Sequence, residues 1–511
     1  MTQLAREAAA LLSGILLFLS FPKFGSGLVA WVALTPLLAA LPGVSGWRAL
    51  RLGYLTGAVS SLGLLYWTAL VVTQFGGLSL PVSVAIMALL CLVVALFPAL
   101  VAWLVARWVA RLGLEALLAA PLAWVSVELL RARTFLQFPW CLLGYSQHEH
   151  PAFIQIAAFG AVYGVSFLIV LVSAAVAYAL SAPAKRGRAV LAGVGALVAA
   201  VWLHGQWVLS QPVEASGTLR VGLVQASIRQ DEKWAPGLYE ANVRRHIALT
   251  RRAGAEGARL VIWPESAVPF PLDRDPGAAQ LLRETARASN VFLLFGNDDY
   301  VDGPDGRLVR YVGAKLISPG GELGLRYHKM RLVPFGEYVP FQPVFTLGGR
   351  VAARLVEGVA DFSPGREPVV GEVEGTRLAA FICYEAIFPD LVRRFVNGGA
   401  DLLVNVTNDA WYGLTSAPFQ HFAMARFRAV ETGKYLVRAA NTGISGVVDP
   451  RGRVVERTGL FEPAALVRDV PIARGATFYA RYGDVFAWAC ALATLSLAGM
   501  TLRANGAARH R

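Results

Sequence analysis

The chain is poor in charge and in sulfur. Only 16% of its 511 residues are Asp, Glu, Lys or Arg, against about 25% in an ordinary soluble protein. That shortage, with 56% hydrophobic residues and a mean hydropathy of +0.51, excludes a simple water-soluble domain and points to a polytopic membrane protein. Four cysteines occur: Cys91, Cys141, Cys383 and Cys490. None are paired at a metal-ligand spacing, and Cys91 and Cys490 sit inside apolar runs. A disulfide framework and a cysteine-based metal site are therefore not expected, and Cys383 reads as a free thiol. The net charge is +13, yet no basic cluster is interleaved with aromatics, so nucleic acid is not an expected partner. Internal repeats and low-complexity segments are missing as well.

Long apolar runs are what the chain has in abundance. A bilayer core about 30 Å thick takes roughly 20 apolar residues per helix. About eight segments qualify: Ala8–Phe21, Leu28–Leu41, Leu52–Val72, Val82–Ala106, Leu114–Leu130, Phe153–Leu180, Val190–Leu209 and Val485–Leu502. Arg6 ahead of the first run imitates a signal sequence, but the spans downstream favour an uncleaved helix. Positive charge in short loops sets orientation. With the N-terminus inside, the inner segments hold Arg6, Arg48, Arg51, Arg107, Arg111, Lys185, Arg186, Arg188, Arg503, Arg509 and Arg511. The outer loops hold only Lys23, Arg131 and Arg133. Both termini are thus expected in the cytoplasm, with Gln211 to Asp484 outside. Glu115 and Glu128, in the fifth run, read as interfacial residues near its ends rather than as groups facing the bundle interior.

Three units follow: a bundle of about seven helices over residues 1–210, an extracytoplasmic domain over 211–480, and a last span with a short basic tail over 481–511. In the middle unit, strands are predicted at Leu219–Gln225, Arg259–Glu265, Val291–Gly296, Leu308–Ser318, Leu323–His328, Arg377–Cys383, Asp401–Val406 and Tyr435–Ala439. Helices are predicted at Tyr239–Ala253, Ala278–Ala288, Pro389–Asn397 and Pro418–Thr432. Strands alternating with helices, with hairpins added, indicate a layered α/β domain.

Three of these runs end in residues with chemistry: RLVIWPE in Glu265, LGLRYHK in Lys329, and LAAFICYE through Cys383. A thiol nucleophile needs a base for its proton and a cation for the developing oxyanion. Cys383 precedes a predicted helix, and a strand-to-helix turn exposes a nucleophile beside free backbone N–H groups. Singly, Cys383 could be an inert buried thiol, Glu265 an exposed strand end and Lys329 a surface lysine in a hairpin. The ordered triple argues otherwise.

With these residues in place, the segment from about Leu219 to Val470 resembles the nitrilase superfamily of carbon–nitrogen hydrolases, which sets a Glu–Lys–Cys triad on an αββα sandwich. The whole chain resembles the apolipoprotein N-acyltransferase family of the bacterial inner membrane. VQASIRQDEKW, WPES, YHKMRLVPFGEYVP, ICYEAIFPD and NVTNDAWYG carry that likeness. It implies a polytopic α-helical bundle with an inserted nitrilase-like αββα domain. It also implies Glu265 as general base, Lys329 as electrostatic stabiliser, Cys383 as nucleophile and Glu337 as a supporting carboxylate. Trp234, Tyr384, Glu385 and Trp411 fall at positions the family needs. One stretch departs from the pattern: Tyr311-Val312-Gly313 replaces a Tyr-Asn-Ser common in relatives, and it is read as structural.

The reaction implied is a two-step acyl transfer, from the sn-1 chain of phosphatidylethanolamine to Cys383 and then to the α-amine of a diacylglyceryl-cysteine. It needs no cofactor or metal. The expected partners are a phospholipid, a diacylated apolipoprotein and the bilayer, and the expected state is a monomer. A membrane-anchored amidase or nitrilase acting on a small outside substrate fits the triad equally well, though not the fused spans. A non-catalytic lipid-binding scaffold is the third reading, disfavoured by the intact triple. The apolar loop Phe341–Pro364 is either a mobile lid at the lipid surface or a packed excursion of the domain.

Overall fold

The computed structural model describes residues 1–134, 137–268, 270–303, 306–339 and 361–509. The loop considered as a lid, Phe341–Pro364, lies outside the described residues up to position 360.

The middle of the chain forms twelve strands among the described residues. They are β1 (Ala215–Gln225), β2 (Leu260–Ile262), β3 (Phe292–Asp302), β4 (Leu308–Ile317), β5 (Leu323–His328), β6 (Gly371–Val373), β7 (Thr376–Ile382), β8 (Leu402–Thr407), β9 (Tyr435–Ala440), β10 (Gly446–Val448), β11 (Val454–Arg457) and β12 (Ala464–Ala473). They build two six-stranded sheets, ordered β12-β1-β2-β3-β4-β5 and β11-β10-β9-β8-β7-β6. Each has three parallel strands at its centre, β1-β2-β3 in one and β7-β8-β9 in the other. Antiparallel strands flank them.

The layering follows from the period of two along a strand. Leu260, Ile262 and Leu294 point into a core shared with the second sheet. Their neighbours Val261, Leu293 and Phe295 point the other way, against the helices Tyr239–Ala255 and Pro276–Ser289. A strand buried on both faces reads as an unbroken apolar run, which is why RLVIW and VFLLF stand out. The second sheet is covered by Pro389–Asn397 and Ala417–Thr432. The latter helix is buried almost all round, because it is also packed against the bundle helix Ala157–Ser181. Tyr311 stacks on His328 at 4.2 Å, and a Cβ at Gly313 would lie 2.9 Å from the Asn297 carbonyl oxygen. The departure at Tyr311-Val312-Gly313 therefore falls in a close-packed part of β4.

Among the described residues, four helices are long and apolar enough to cross a membrane: Leu80–Leu112, Ala157–Ser181, Ala184–Ser210 and Val485–Leu502. Gly46–Leu65 with Trp67–Phe75 makes a fifth, bent by 50°. The other expected spans take shorter forms. Gln3–Phe18 has 16 residues, Gly27–Ala40 is a chain of short turns, and the run after Leu114 is a 3₁₀ segment followed by the 14-residue helix Ala120–Arg133. Lys185, Arg186 and Arg188, expected in a loop, form the first turns of Ala184–Ser210. Small residues let the bundle close. A Cβ on Gly53 would come within 2.4 Å of the Pro98 carbonyl oxygen, and one on Gly57 within 2.7 Å of Ala95 Cα.

Glu128 corrects an expectation. It is buried at 5% exposure and accepts hydrogen bonds from Trp124 Nε1 (3.0 Å) and the Leu143 N–H (2.7 Å). The loop after its helix folds back over it, held by Arg131, which donates to the carbonyls of Phe138 and Trp140. Glu115 does lie at an exposed end, beside Arg186.

Candidate active site

The site lies where strands of both sheets end, the usual place for function in open α/β sheets. Glu265 follows β2, Lys329 follows β5, Cys383 follows β7, and Asn408 follows β8. The Lys329 side chain is fully buried, its Nζ 3.2 Å from Glu265 Oε1 and 2.5 Å from Glu337 Oε1. Glu265 Oε2 accepts the Asn408 N–H at 2.9 Å, and Glu337 Oε2 accepts the Val333 N–H at 2.8 Å. One ammonium thus joins two carboxylates from different segments.

Two backbone features aim these groups. Ser266 and Cys383 have φ of 45° and 49°, a left-handed conformation that costs a non-glycine residue on the order of 1–3 kcal/mol. At Glu265 the turn is allowed by Gly296, whose Cβ would lie 2.4 Å from Ser266 N and 2.6 Å from Glu265 Cα. The buried Lys233 ammonium donates to the Glu265 carbonyl at 2.7 Å, and Ser266 Oγ donates to Asp298 at 2.7 Å. At Cys383 the chain leaves β7 into the 3₁₀ turn Cys383–Ile387. Glu385, in that turn, is completely buried and accepts four hydrogen bonds. They come from Tyr327 Oη (2.7 Å) and the N–H groups of Met330 (2.7 Å), Arg331 (3.1 Å) and Ile382 (2.7 Å). One carboxylate thereby ties the segment carrying Lys329 to the segment carrying Cys383.

Electrostatics follow from burial and partners. Burial pushes the Cys383 thiol up; Glu265 adds to that and Lys329 opposes it. For Lys329 burial works against the charged form, but Glu265 and Glu337 outweigh it and hold the ammonium well above its ordinary range. Burial raises Glu337, with Lys329 opposing. Lys233 is lowered by burial to about 8, and Asp298 is raised by burial to about 6.

The remaining expected residues lie around this centre. Tyr384 is buried, and its hydroxyl donates to the Gln137 carbonyl at 3.1 Å, so the Cys383 turn touches the loop that closes a bundle helix. Trp234 and Trp411 lie farther out, 39% and 38% exposed. Trp234 packs near Lys233, and Trp411 packs on Phe75 of the bundle. Sequence reasoning missed Lys233, Asp298, Asp409, His421 and Arg438. Asp409 lay within the NVTNDAWYG motif, and His421 was one of several polar residues in a helix buried almost all round, with nothing local to single it out. Among the described residues, no group of three or more His, Cys, Asp or Glu is arranged to hold a metal.

The paired sheets and their strand-end cluster are those of a carbon–nitrogen hydrolase, and the Carbon-nitrogen hydrolase family model matches residues 220–478. A second model, the Apolipoprotein N-acyltransferase N-terminal domain, matches residues 13–175. An apolipoprotein N-acyltransferase from Geobacter metallireducens is 40% identical over 97% of this chain and 95% of its own. Relatives of the same name from Methylococcus capsulatus and Gloeobacter violaceus are each 36% identical, over 93% and 97% of this chain and 92% and 94% of theirs. The chain belongs to the apolipoprotein N-acyltransferase family. Among solved structures, an amidase from Nesterenkonia sp. aligns with 52% of this chain and 96% of its own, at 25% identity and a TM-score of 0.39.

Proposed function

We propose that the protein moves an acyl chain from the sn-1 position of phosphatidylethanolamine to the α-amine of a diacylglyceryl-cysteine at the N-terminus of an apolipoprotein. Glu265 takes the Cys383 proton as sulfur attacks the ester carbonyl. The C–O bond to glycerol breaks, the proton passes to the departing oxygen, and lysophospholipid leaves a Cys383 thioester. The amine then attacks that thioester, Glu265 accepts its proton, and the C–S bond breaks to return the thiol. Lys329 and the Tyr384 backbone N–H stabilise the oxyanion in each step, with Glu337 holding Lys329. A thiol pushed up by burial stays protonated until its base acts, which suits proton removal during attack.

The observation that carries this reading is the meeting of the Cys383 turn with the bundle, through Tyr384 and Gln137. It supports a nucleophile held next to the bundle, where a lipid ester would arrive. An acyl chain holds to the bilayer by about 0.8 kcal/mol per buried CH₂, so a site at the membrane surface avoids extracting it. About eight spans, both termini in the cytoplasm, a periplasmic domain over residues 211–480, an inner-membrane location and a monomeric state complete the proposal. Trp234 and Trp411 would contact substrate from the open side.

The test is turnover in micelles containing phosphatidylethanolamine labelled at sn-1 and a diacylated lipopeptide. Equal amounts of N-acylated peptide and lysophospholipid support the proposal. Free fatty acid without acylated peptide would replace it with a hydrolase.

A further inference from the structure

Against the Cys383 turn stands a second buried group that the mechanism above leaves unused. His421, in the helix Ala417–Thr432, has its Nε2 3.1 Å from the Cys383 carbonyl oxygen. That oxygen can only accept, so Nε2 carries the hydrogen. Its Nδ1 lies 2.9 Å from Asp409 Oδ1 and 3.1 Å from Arg438 Nη2. Arg438 Nη2 also donates to Asp409 Oδ2 at 2.8 Å, and Thr407 Oγ1 donates to Asp409 Oδ1 at 3.1 Å. The side chains of His421, Asp409 and Arg438 are all fully buried. Arg438 also donates to Asn405, whose amide donates to the Phe381 carbonyl at 3.1 Å, two residues before Cys383.

We propose that His421 is a positioning residue for the nucleophile, clamping the left-handed turn at Cys383 through its carbonyl while Asp409 and Arg438 fix the imidazole. The clamp holds in both protonation states. A bare Nδ1 accepts from Arg438, a protonated one donates to Asp409, and Nε2–H points at Cys383 either way. The imidazole ring also lies 5.7 Å from Trp140 of the bundle loop and 6.3 Å from Tyr412. The clamp therefore joins the thiol to the membrane part of the chain. A thiol displaced by about 1 Å loses on the order of 100-fold in rate, and that is the effect expected from losing the clamp.

This inference rests on the acyl-transfer reading, and its test separates the two. The full chain and the variants H421L, H421M and H421Q would be followed in single-turnover thioester formation from phosphatidylethanolamine, and in alkylation of Cys383 by iodoacetamide without lipid. H421L and H421M lack a donor, so thioester formation at saturating lipid should fall about 100-fold with half-saturation unchanged. H421Q can donate to the same carbonyl and should recover about tenfold or more of that loss. Donor-free variants acylating at the parent rate, or H421Q as slow as they are, would overturn the clamp. Either donor-free variant suffices if the other does not fold. Should the parent form no thioester, the acyl-transfer reading fails, yet alkylation still decides on His421. A rate altered in H421L or H421M and restored in H421Q supports the clamp, and equal rates in all four overturn it.

Discussion

Asp298 and Asp409 are both buried beside the same catalytic centre, yet their carboxyls are displaced in opposite directions. Burial pushes Asp298 up to about 6; Ser266 and Lys233 offset it only in part, and Glu265 and Glu337 add to it. Burial also works against the Asp409 carboxylate, but Arg438 and His421 outweigh it and hold that group at about 2. The Glu265 side carries three carboxylates, Glu265, Glu337 and Asp298, against the ammoniums of Lys329 and Lys233. The Asp409 side matches one carboxylate with one guanidinium and shares an imidazole between them. On the proposed mechanism the side that passes the proton is the one whose charges are out of balance, and the side that holds the Cys383 turn is the balanced one.

The largest effect should come from removing the cation on the unbalanced side. Lys329→Met leaves Glu265 and Glu337 facing one another without the ammonium that bridges them. Loss of one oxyanion donor alone costs about 10²–10³ in rate, so single-turnover acylation should fall at least 1,000-fold. A fall below tenfold would remove Lys329 from the chemistry.

Glu385→Gln comes next. The carboxylate accepts four donors and donates none, so one face of an amide must meet a donor. The mismatch should cost about 1–3 kcal/mol of stability, read as a lowered denaturant midpoint, and about 100-fold in rate through loss of register between Lys329 and Cys383. A variant that keeps its full rate would show that the two segments hold their places without it.

Asp409→Asn probes the balanced side. Because the folded value of Asp409 lies below its ordinary 3.8, its ionisation stabilises the fold above about pH 4, and that contribution is lost as pH falls through about 2. Parent and variant should differ most near neutrality and converge below pH 2. A constant gap across pH would contradict the ion pair.

Asp298→Asn should give the smallest change, with the opposite sign. Its folded value lies above 3.8, so the protonated form favours the fold, and stability falls as pH rises from about 4 through about 6. The variant should flatten that decline in thermal midpoint while acylating within about tenfold of the parent. An unchanged slope would place the burial penalty elsewhere.

The central strands with Glu265 and Cys383 at their ends are legible from the amino-acid order alone, because strands buried on both faces leave unbroken apolar runs that stop at a polar residue. Lys329 instead follows the half-exposed edge strand β5 and is legible through its motif. Leu323–His328 and Pro389–Asn397 take their expected bounds. The edge strands β6, β11 and β12, and β10 next to an edge, are not legible. They are short or carry polar residues and Pro471, and pairing rather than periodicity defines them. Lys233 hides in the charged run Asp231-Glu232-Lys233, where nothing local reveals that one of three charges turns inward. Glu128 reads as interfacial because its burial depends on residues 137–143 folding back over the helix. His421, Asp409 and Arg438 sit on three separate elements, and only packing brings them together.

The most direct measurement is the intact mass of the purified chain after incubation with phosphatidylethanolamine bearing one defined sn-1 chain. A gain of one acyl group, removed by hydroxylamine, absent in Cys383→Ala and discharged by a diacylated lipopeptide, is the expected result. A chain whose Cys383 alkylates normally yet gains no acyl mass would contradict the thioester route.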